Sequence, residues 1–375
     1  VKQEGFMAWR LLDCGGLDGW TIQSIYEAVA KEVGKGNSPN TLVNCHPATP
    51  YVCIGVHQLL EKEVEEDFCK KNNVPIVRRQ AGGGAVFLDP YQFFYHIIVK
   101  NDDPLVMGDP VTVSERLLRP TVSTYKAFGC DASFKPVNDV IIGHRKASGN
   151  ALANMHGASF VIGNVIMDAD VEMMAQVLKV PSEKFRDKII ENVREHMTSL
   201  KRELGKEFTY EEVQKKYLPV FETELGVKLE KGEMTEAEKK NLEEIFATTK
   251  TDEWLHRRTR GHEKLMDMSG KRTKVMAGLI IAEADLKSDK LIRTTLSIKD
   301  DHIDDIVISG DFFMMPSDSL PNLENALKGK KVDREELLNA VNSFFATGPK
   351  VFGVKPEDIV EVIFKARDNS VGVIG

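Results

Sequence analysis

The chain has 375 residues, 42% of them hydrophobic and 29% charged, and a formal net charge of −7. That length suits two domains and leaves core enough for a stable enzyme. The acidic balance excludes a general nucleic-acid binder, which would carry a basic excess. No apolar run approaches the roughly 18 residues of a membrane span. The five cysteines, Cys14, Cys45, Cys53, Cys69 and Cys130, are odd in number and form no CxxC pair. They argue against a zinc site or a disulfide framework and for reduced thiols. With no signal-peptide-like apolar segment near Val1, a cytoplasmic protein is expected.

Taken in order, Thr21 to Val33 reads as a helix ending near Gly34, and Thr41–Asn44 and Tyr51–Gly55 as strands. Glu61 to Asn72 has the pattern of one charged amphipathic helix, and Pro75–Arg78 that of a strand. Strands at Ala85–Leu88 and Tyr95–Val99 and a helix at Val111–Phe128 follow. Val137–Ile142 and Arg145–Ala147 flank Gly143-His144 as a hairpin, and Ser159–Met167 is a further strand. Pro181, with Ser182 as N-cap, starts a helix predicted to run past Leu200. Thr209 with Glu212, and Thr235 with Glu238, have capping-box spacing ahead of two more helices. The basic stretch around His256-Arg-Arg-Thr-Arg-Gly-His262 reads as a solvated joint. Beyond it come strands at Lys274–Asp285, Leu291–Lys299 and Ile303–Ser309, then helices at Leu320–Leu327, Asp333–Phe345 and Pro356–Phe364. The pattern predicts an α+β fold: a large domain on a mixed or mostly antiparallel sheet over residues 1–260, and a small α+β domain over 261–375.

Two segments carry chemistry. Arg78 and Arg79 precede Gly82-Gly83-Gly84, and the short strand Ala85-Val86-Phe87-Leu88 ends at Asp89. Three glycines let backbone N–H groups approach an anion, and paired arginines add fixed donors for carboxylate or phosphate. No Lys-Ser or Lys-Thr follows, so this is not a Walker loop, and the spacing is not that of a dinucleotide fingerprint. The glycines alone are equally compatible with a tight hairpin or bulge. The second segment is Asn138-Asp139 followed by Arg145-Lys146-Ala-Ser148-Gly149-Asn-Ala. By residue type alone, Lys146 is also a solvated hairpin lysine, Asp139 a turn cap and Arg78 a surface strand cation.

Together these segments resemble the signatures of lipoate–protein ligases, RRxxGGGxVFHD and an ND dipeptide followed by K-x-S-G-x-A, within the superfamily that also holds biotin ligases and lipoyl or octanoyl transferases. The resemblance runs from about residue 8 to residue 250, and Ile303–Phe313 with the helices after it resembles a fused ligase accessory domain. It implies a catalytic domain of the biotin/lipoate ligase type and a two-step reaction using ATP and Mg. A lipoate or octanoate carboxylate becomes an acyl-AMP, and the acyl group then passes to a lysine of a lipoyl-acceptor carrier protein. By resemblance, Lys146 is catalytic and Arg79 pairs with phosphate, with Arg78 beside it. Gly84, Ala85, Val86 and Phe87 hold the nucleotide, and Gly82 and Gly83 allow close approach. Asn138 and Asp139 contact nucleotide, with Asp139 the Mg ligand, while Ser148 and Gly149 shape the turn beside Lys146. Neither a nucleic acid nor a membrane is an expected partner, and a monomer is expected.

Leu88 stands where the family has His, and Asp89-Pro-Tyr-Gln replaces Asp-x-Gly-Asn. A hydrogen-bonding group is lost there, and strand packing is the simplest role for Leu88. Family transferases place a nucleophilic cysteine after the K-x-S-G segment, and this sequence has none beyond Cys130. The biotin-ligase pattern GRGRxG is absent as well. A non-enzymatic member that binds an acyl group or nucleotide is the other alternative. His46, His57 and His96 are isolated and read as structural, and the Asp300–Asp305 run as a charged turn.

Overall fold

The computed structural model describes residues 7–136, 138–179, 186–259, 261, 265 and 279–371. The chain divides into two compact units. One comprises Val1–Val52, Asp67–Val77 and Phe87–Lys250, the other Cys53–Glu66, Arg78–Val86 and Thr251–Gly375. In chain order the strands up to residue 231 are β1 (Met7–Leu17), β2 (Thr41–Pro47), β3 (Tyr51–Ile54), β4 (Ile76–Arg78), β5 (Val86–Leu88), β6 (Gln92–Lys100), β7 (Ala132–Lys135), β8 (Asp139–Ile142), β9 (Arg145–Met155), β10 (Ala158–Ile166) and β11 (Val227–Lys231). The helices over the same span are α1 (Gly19–Lys35), α2 (Leu60–Glu63), α3 (Glu66–Lys71), α4 (Pro110–Ala127), α5 (Val171–Val177), α6 (Arg186–His196), α7 (Leu200–Leu204) and α8 (Tyr210–Leu225), with α9 (Glu236–Thr249) after β11.

The first unit is built on an eight-stranded sheet in the order β11-β1-β2-β6-β10-β9-β8-β7. β1 runs parallel to both β2 and β11, and the other pairs are antiparallel, so the sheet is mixed as the sequence predicts. Alternate residues face opposite layers, as the period of a strand requires. Leu42, Ile97 and Val161 join a core with Leu117, Tyr125, Tyr217 and Phe221 of α4 and α8. Their neighbours Val43, Ile98 and Phe160 join a core on the other face with Ile25, Tyr26, Val29 and Val33 of α1.

Several local readings change for physical reasons. α1 ends near Gly34 as expected, at Lys35, and closes on Gly36 in the left-handed region. A Cβ at Gly34 would lie 1.9 Å from the His156 carbonyl oxygen, so this glycine permits a close backbone approach inside the helix. The single helix predicted over Glu61–Asn72 is two, α2 and α3, because Val64 takes an extended backbone and buries its side chain completely. The helix predicted past Leu200 stops at His196, and its proposed N-cap Ser182 lies outside the described residues. β1, β7 and β11 are strands the sequence reading missed. β1 carries Gly15 and Gly16 and breaks register between Asp13 and Gly16, while β11 is a charged edge strand, so neither alternates cleanly. Both capping boxes form as predicted, at Thr209–Glu212 and Thr235–Glu238.

In the second unit, after α10 (Asp252–Leu255), β12 (Leu279–Lys287), β13 (Leu291–Lys299) and β14 (His302–Gly310) form an antiparallel sheet. Asp300 and Asp301 make the turn between the last two, both with positive φ, as a two-residue hairpin loop requires. β15 (Phe313–Met315), α11 (Leu320–Leu327), α12 (Arg334–Ala346), β16 (Lys350–Phe352) and α13 (Pro356–Val371) complete the unit, whose core includes Leu296, Ile306, Leu323, Val341, Val360 and Ile363. The basic stretch expected to be a solvated joint is not one in its described part. Arg258 is buried and paired with the buried Glu324, and Arg257 lies 4.4 Å over the Trp254 ring. A buried guanidinium is tolerated when a carboxylate meets it. No helix among the described residues is long and apolar enough to cross a membrane.

Candidate active site

Lys146 is the second residue of β9, three residues past Gly143, which adopts positive φ at the hairpin turn. β9 changes partner along its length. From Asn150 to Met155 it pairs with β10, and from Arg145 to Gly149 it pairs with β8, with an irregularity between Val140 and Ile141. The hairpin brings Asp139 against Lys146, carboxylate to ammonium at 2.7 Å. Gly149 lies beneath the lysine stem: a Cβ there would sit 3.3 Å from Lys146 Cε, tighter than ordinary contact. The Lys146 backbone is braced from outside the sheet, since Thr198 N–H donates to its carbonyl at 2.9 Å. Just past the end of α6, Met197 bridges Lys146 as well, so the chain meets the lysine strand there.

Where β9 and β10 part, side chains replace the missing ladder. Gly149 N–H donates to Asn164 Oδ1 at 3.0 Å, and Asn164 Nδ2 donates to Gln92 Oε1 at 2.7 Å. The buried Tyr125 hydroxyl donates to Ala147 O at 2.5 Å and accepts from Ile166 N–H at 3.0 Å. Ser148 is fully buried, and Asn138 is turned toward Asn150. Asn164, Gln92 and Tyr125 were not singled out from the sequence as site residues. Their roles arise from pairings 15 to 72 residues apart, which leave no local signal.

The glycine turn belongs to the second unit. Arg78, read from sequence alone as a surface cation, is instead 1% exposed. Its Nη1 donates to the carbonyls of Gly55, Val56 and Gln58 at 2.9, 3.3 and 2.7 Å, and its Nε to Leu255 O at 2.8 Å. Burial, with Arg257 and Arg258 nearby, lowers its pKa to about 9, still protonated at neutral pH. Arg79 closes the turn, donating from Nη2 to Gly82 O and Gly84 O, both at 2.9 Å. The arginines therefore shape the loop before any ligand arrives. Two of the glycines have a packing reason as well. A Cβ on Gly82 would lie 2.4 Å from Phe312 O, and Gly83, with φ of 98°, donates its N–H to the same oxygen at 3.4 Å. Of the strand that follows, Val86 is 40% exposed, while Phe87 and Leu88 are buried; Ala85 lies between the turn and that strand. Leu88 thus packs as a strand residue.

His57 stacks on Phe312 with ring centroids 5.1 Å apart. Burial, then Arg258, Arg257 and Arg78, lowers its pKa to about 3, and burial alone does the same for His96. Both are neutral packing groups at physiological pH. Among the described residues no group of three or more His, Cys, Asp or Glu is placed to hold a metal.

Asp89 is 2% exposed and accepts from Tyr91 N–H at 3.0 Å and Gln92 Nε2 at 3.4 Å. Burial raises its pKa from 3.8 to about 6, against those hydrogen bonds. Between these values the folded chain keeps a proton that the unfolded chain has released, so this group's contribution to stability falls as pH rises. Asp89→Asn is expected to remove that dependence, on the order of 2–3 kcal/mol across the window. Urea melts at about pH 4 and pH 6.5 check it. Parallel behaviour of wild type and variant contradicts it.

Residues 18–222 match the Lipoyl protein ligase A/B catalytic domain, and residues 291–363 match the Bacterial lipoate protein ligase C-terminus. The chain belongs to the lipoyl protein ligase A/B family, whose members divide between lipoate ligases and octanoyl transferases. It is 26% identical to the lipoate-protein ligase LplJ of Bacillus subtilis, over 84% of this chain and 88% of that one. It is 27% identical to the octanoyltransferase LipM of Moorella thermoacetica, over 67% and 98%. Among solved structures it is similar to one from the bipartite lipoate protein ligase system of Thermoplasma acidophilum, described with its E2 lipoyl domain (TM-score 0.61, 29% identity, 67% of this chain and 97% of that one). It is also similar to a lipoate-protein ligase A bound with ATP (0.55, 25%, 67% and 99%). LipL1 of P. falciparum, solved with lipoate, has the same fold over 95% of this chain and 98% of that one (0.67, 13%).

Proposed function

We propose that this protein is an ATP-dependent lipoate–protein ligase. A carboxylate oxygen of lipoate attacks the α-phosphorus of ATP, the bond to the β-phosphate oxygen breaks, and pyrophosphate leaves. The amine of an acceptor lysine then attacks the acyl carbon of lipoyl-AMP, loses a proton and expels AMP. Both steps load negative charge onto oxygens, which a fixed cation stabilises. Lys146 is the residue proposed for that role, with Asp139 and Gly149 fixing where its stem and ammonium lie. Arg79 is proposed to meet phosphate, with Arg78 shaping the loop that presents the backbone of Gly84, Ala85, Val86 and Phe87. Mg2+ commonly takes one or two carboxylates and draws its remaining ligands from phosphates and water. Asp139 fits as the protein's single contribution, and the ion would neutralise phosphate charge there.

The observation that favours ligase over transferase is the burial of the thiols: Cys45, Cys53, Cys69 and Cys130 are buried and Cys14 is partly so. An acyl transferase needs a thiolate near neutral pH. Here burial, with Asp13 adding to it, pushes Cys14 up to about 11, and burial also raises Cys45, Cys53 and Cys130. Cys69 is fully buried. The similarity to a lipoate-protein ligase A solved with ATP bound, and to the lipoate-protein ligase LplJ, adds support for these substrates. The test is the intact mass of a lipoyl carrier domain incubated with the protein under two conditions. With free lipoate, ATP and Mg, the acyl mass is expected on the carrier; with an octanoyl thioester and no ATP, none is expected. The reverse pattern identifies a transferase.

A further inference from the structure

Asn150 is the unspecified position of the K-x-S-G-x-A motif, and it stands where β9 leaves β10. Its side chain is 8% exposed in the residue as a whole and is matched at both ends. Oδ1 accepts from the Tyr95 hydroxyl at 2.5 Å and from Ser148 Oγ at 3.2 Å. Nδ2 donates to Asn138 O at 2.9 Å, and Asn138 Nδ2 returns a hydrogen bond to Asn150 O. The carbonyl of Asn138 can only accept, so this bond fixes which end of the amide faces it. Opposite Asn150 on β10 is Gly163, where a Cβ would lie 1.9 Å from Asn150 Oδ1 and 2.4 Å from Tyr95 Oη. The strand is bare there because the amide and the phenol fill the space a side chain would need.

We infer that Asn150 is a positioning residue for Lys146. It pins Asn138, and thereby the adjoining Asp139 carboxylate that meets Lys146 Nζ. Asp139 is also paired across the ladder with Gly149, which lies beneath the lysine stem and adjoins Asn150 in the chain. Tyr95, fully buried, anchors the far end of the amide in the core. The network reaches from the packed interior to the ammonium. Misplacing a reacting charge by about 1 Å is enough to cost on the order of 100-fold in rate.

This inference rests on the ligase reading, and its test separates the two. Asn150→Asp keeps the acceptor that Tyr95 and Ser148 use, and sets an oxygen against Asn138 O. In lipoate-dependent ATP–pyrophosphate exchange its kcat is expected to fall about 10- to 100-fold, with KM for ATP changed less than about threefold. A second readout needs no turnover: the rate at which an N-hydroxysuccinimide acetate ester acetylates Lys146, followed by peptide mass spectrometry. It is expected to rise at least about threefold in Asn150→Asp as the Asp139 pair loosens. Should Asn150→Asp fail to fold, Asn138→Ala, at a half-buried turn, removes the return hydrogen bond to Asn150 O while keeping the Asn138 carbonyl, and is read in the same way. An unchanged acetylation rate overturns the inference, and so does a kcat within twofold of an active wild type. No exchange by wild type, with acetylation still accelerated in the variant, overturns the ligase reading and leaves the positioning role standing.

Discussion

Lys146→Met is expected to lose lipoyl-AMP formation by about 100- to 1,000-fold, with the fold retained. The magnitude follows from charge. A cation about 4 Å from a phosphate oxygen contributes roughly 4 kcal/mol at an effective dielectric near 20, close to a thousandfold in rate. The Lys146 side chain is 41% exposed, so water raises the local dielectric and pulls the expectation toward the lower end. Met keeps the length and packing of the stem over Gly149 and removes only the charge. Single-turnover formation of acyl-AMP is the measurement, with circular dichroism to confirm folding. Activity within tenfold of wild type contradicts the assignment. A fall in transfer from supplied lipoyl-AMP, with adenylation intact, would move Lys146 to the second step alone.

Glu238→Ala is expected to destabilise the first unit by about 3–5 kcal/mol, the usual cost of removing one partner of a buried ion pair. The Glu238 side chain is 0% exposed and that of Arg10 is 9%. Arg10 Nη2 and Nη1 donate to the two carboxylate oxygens at 2.5 and 2.9 Å, Ser38 Oγ donates at 2.8 Å, and Thr235 N–H completes the capping box at 2.8 Å. One side chain thus caps α9 and neutralises a guanidinium carried on β1. Truncation leaves Arg10 charged and dry with no carboxylate, held only by Thr41 Oγ1 and the Glu233 carbonyl, and removes half of the capping box besides. The double change Arg10→Met with Glu238→Leu is expected to recover much of the loss, because the buried charge goes with its partner. Chemical denaturation of the set tests this. A loss below about 1 kcal/mol in Glu238→Ala contradicts the account.

What the sequence made legible was chemistry that acts over a few residues. The capping boxes at Thr209 and Thr235 and the helix Leu320–Leu327 are visible because the residues involved lie within one turn of each other. The hairpin that carries Asp139 and Lys146 is visible for the same reason, although their ion pair is not read from it. Glycine was the harder letter. Gly34 read as a helix stop, yet serves a backbone contact with His156, more than a hundred residues on. Gly82 and Gly83 read as a cradle for an anion, and both also meet Phe312. The burial of Arg78 and Arg258 was equally hidden, because their acceptors, the Leu255 carbonyl and Glu324, come from elements far along the chain. Where a cation's partner is distant, composition describes a solvated charge and the fold makes it a strut.

The central claim is activation of free lipoate by ATP, and lipoate-dependent ATP–pyrophosphate exchange with the intact chain tests it most directly. Labelled pyrophosphate is expected to enter ATP only when lipoate is present, and to stop entering in Lys146→Met. Absence of exchange in a folded protein that binds lipoate, or exchange indifferent to lipoate, would contradict it.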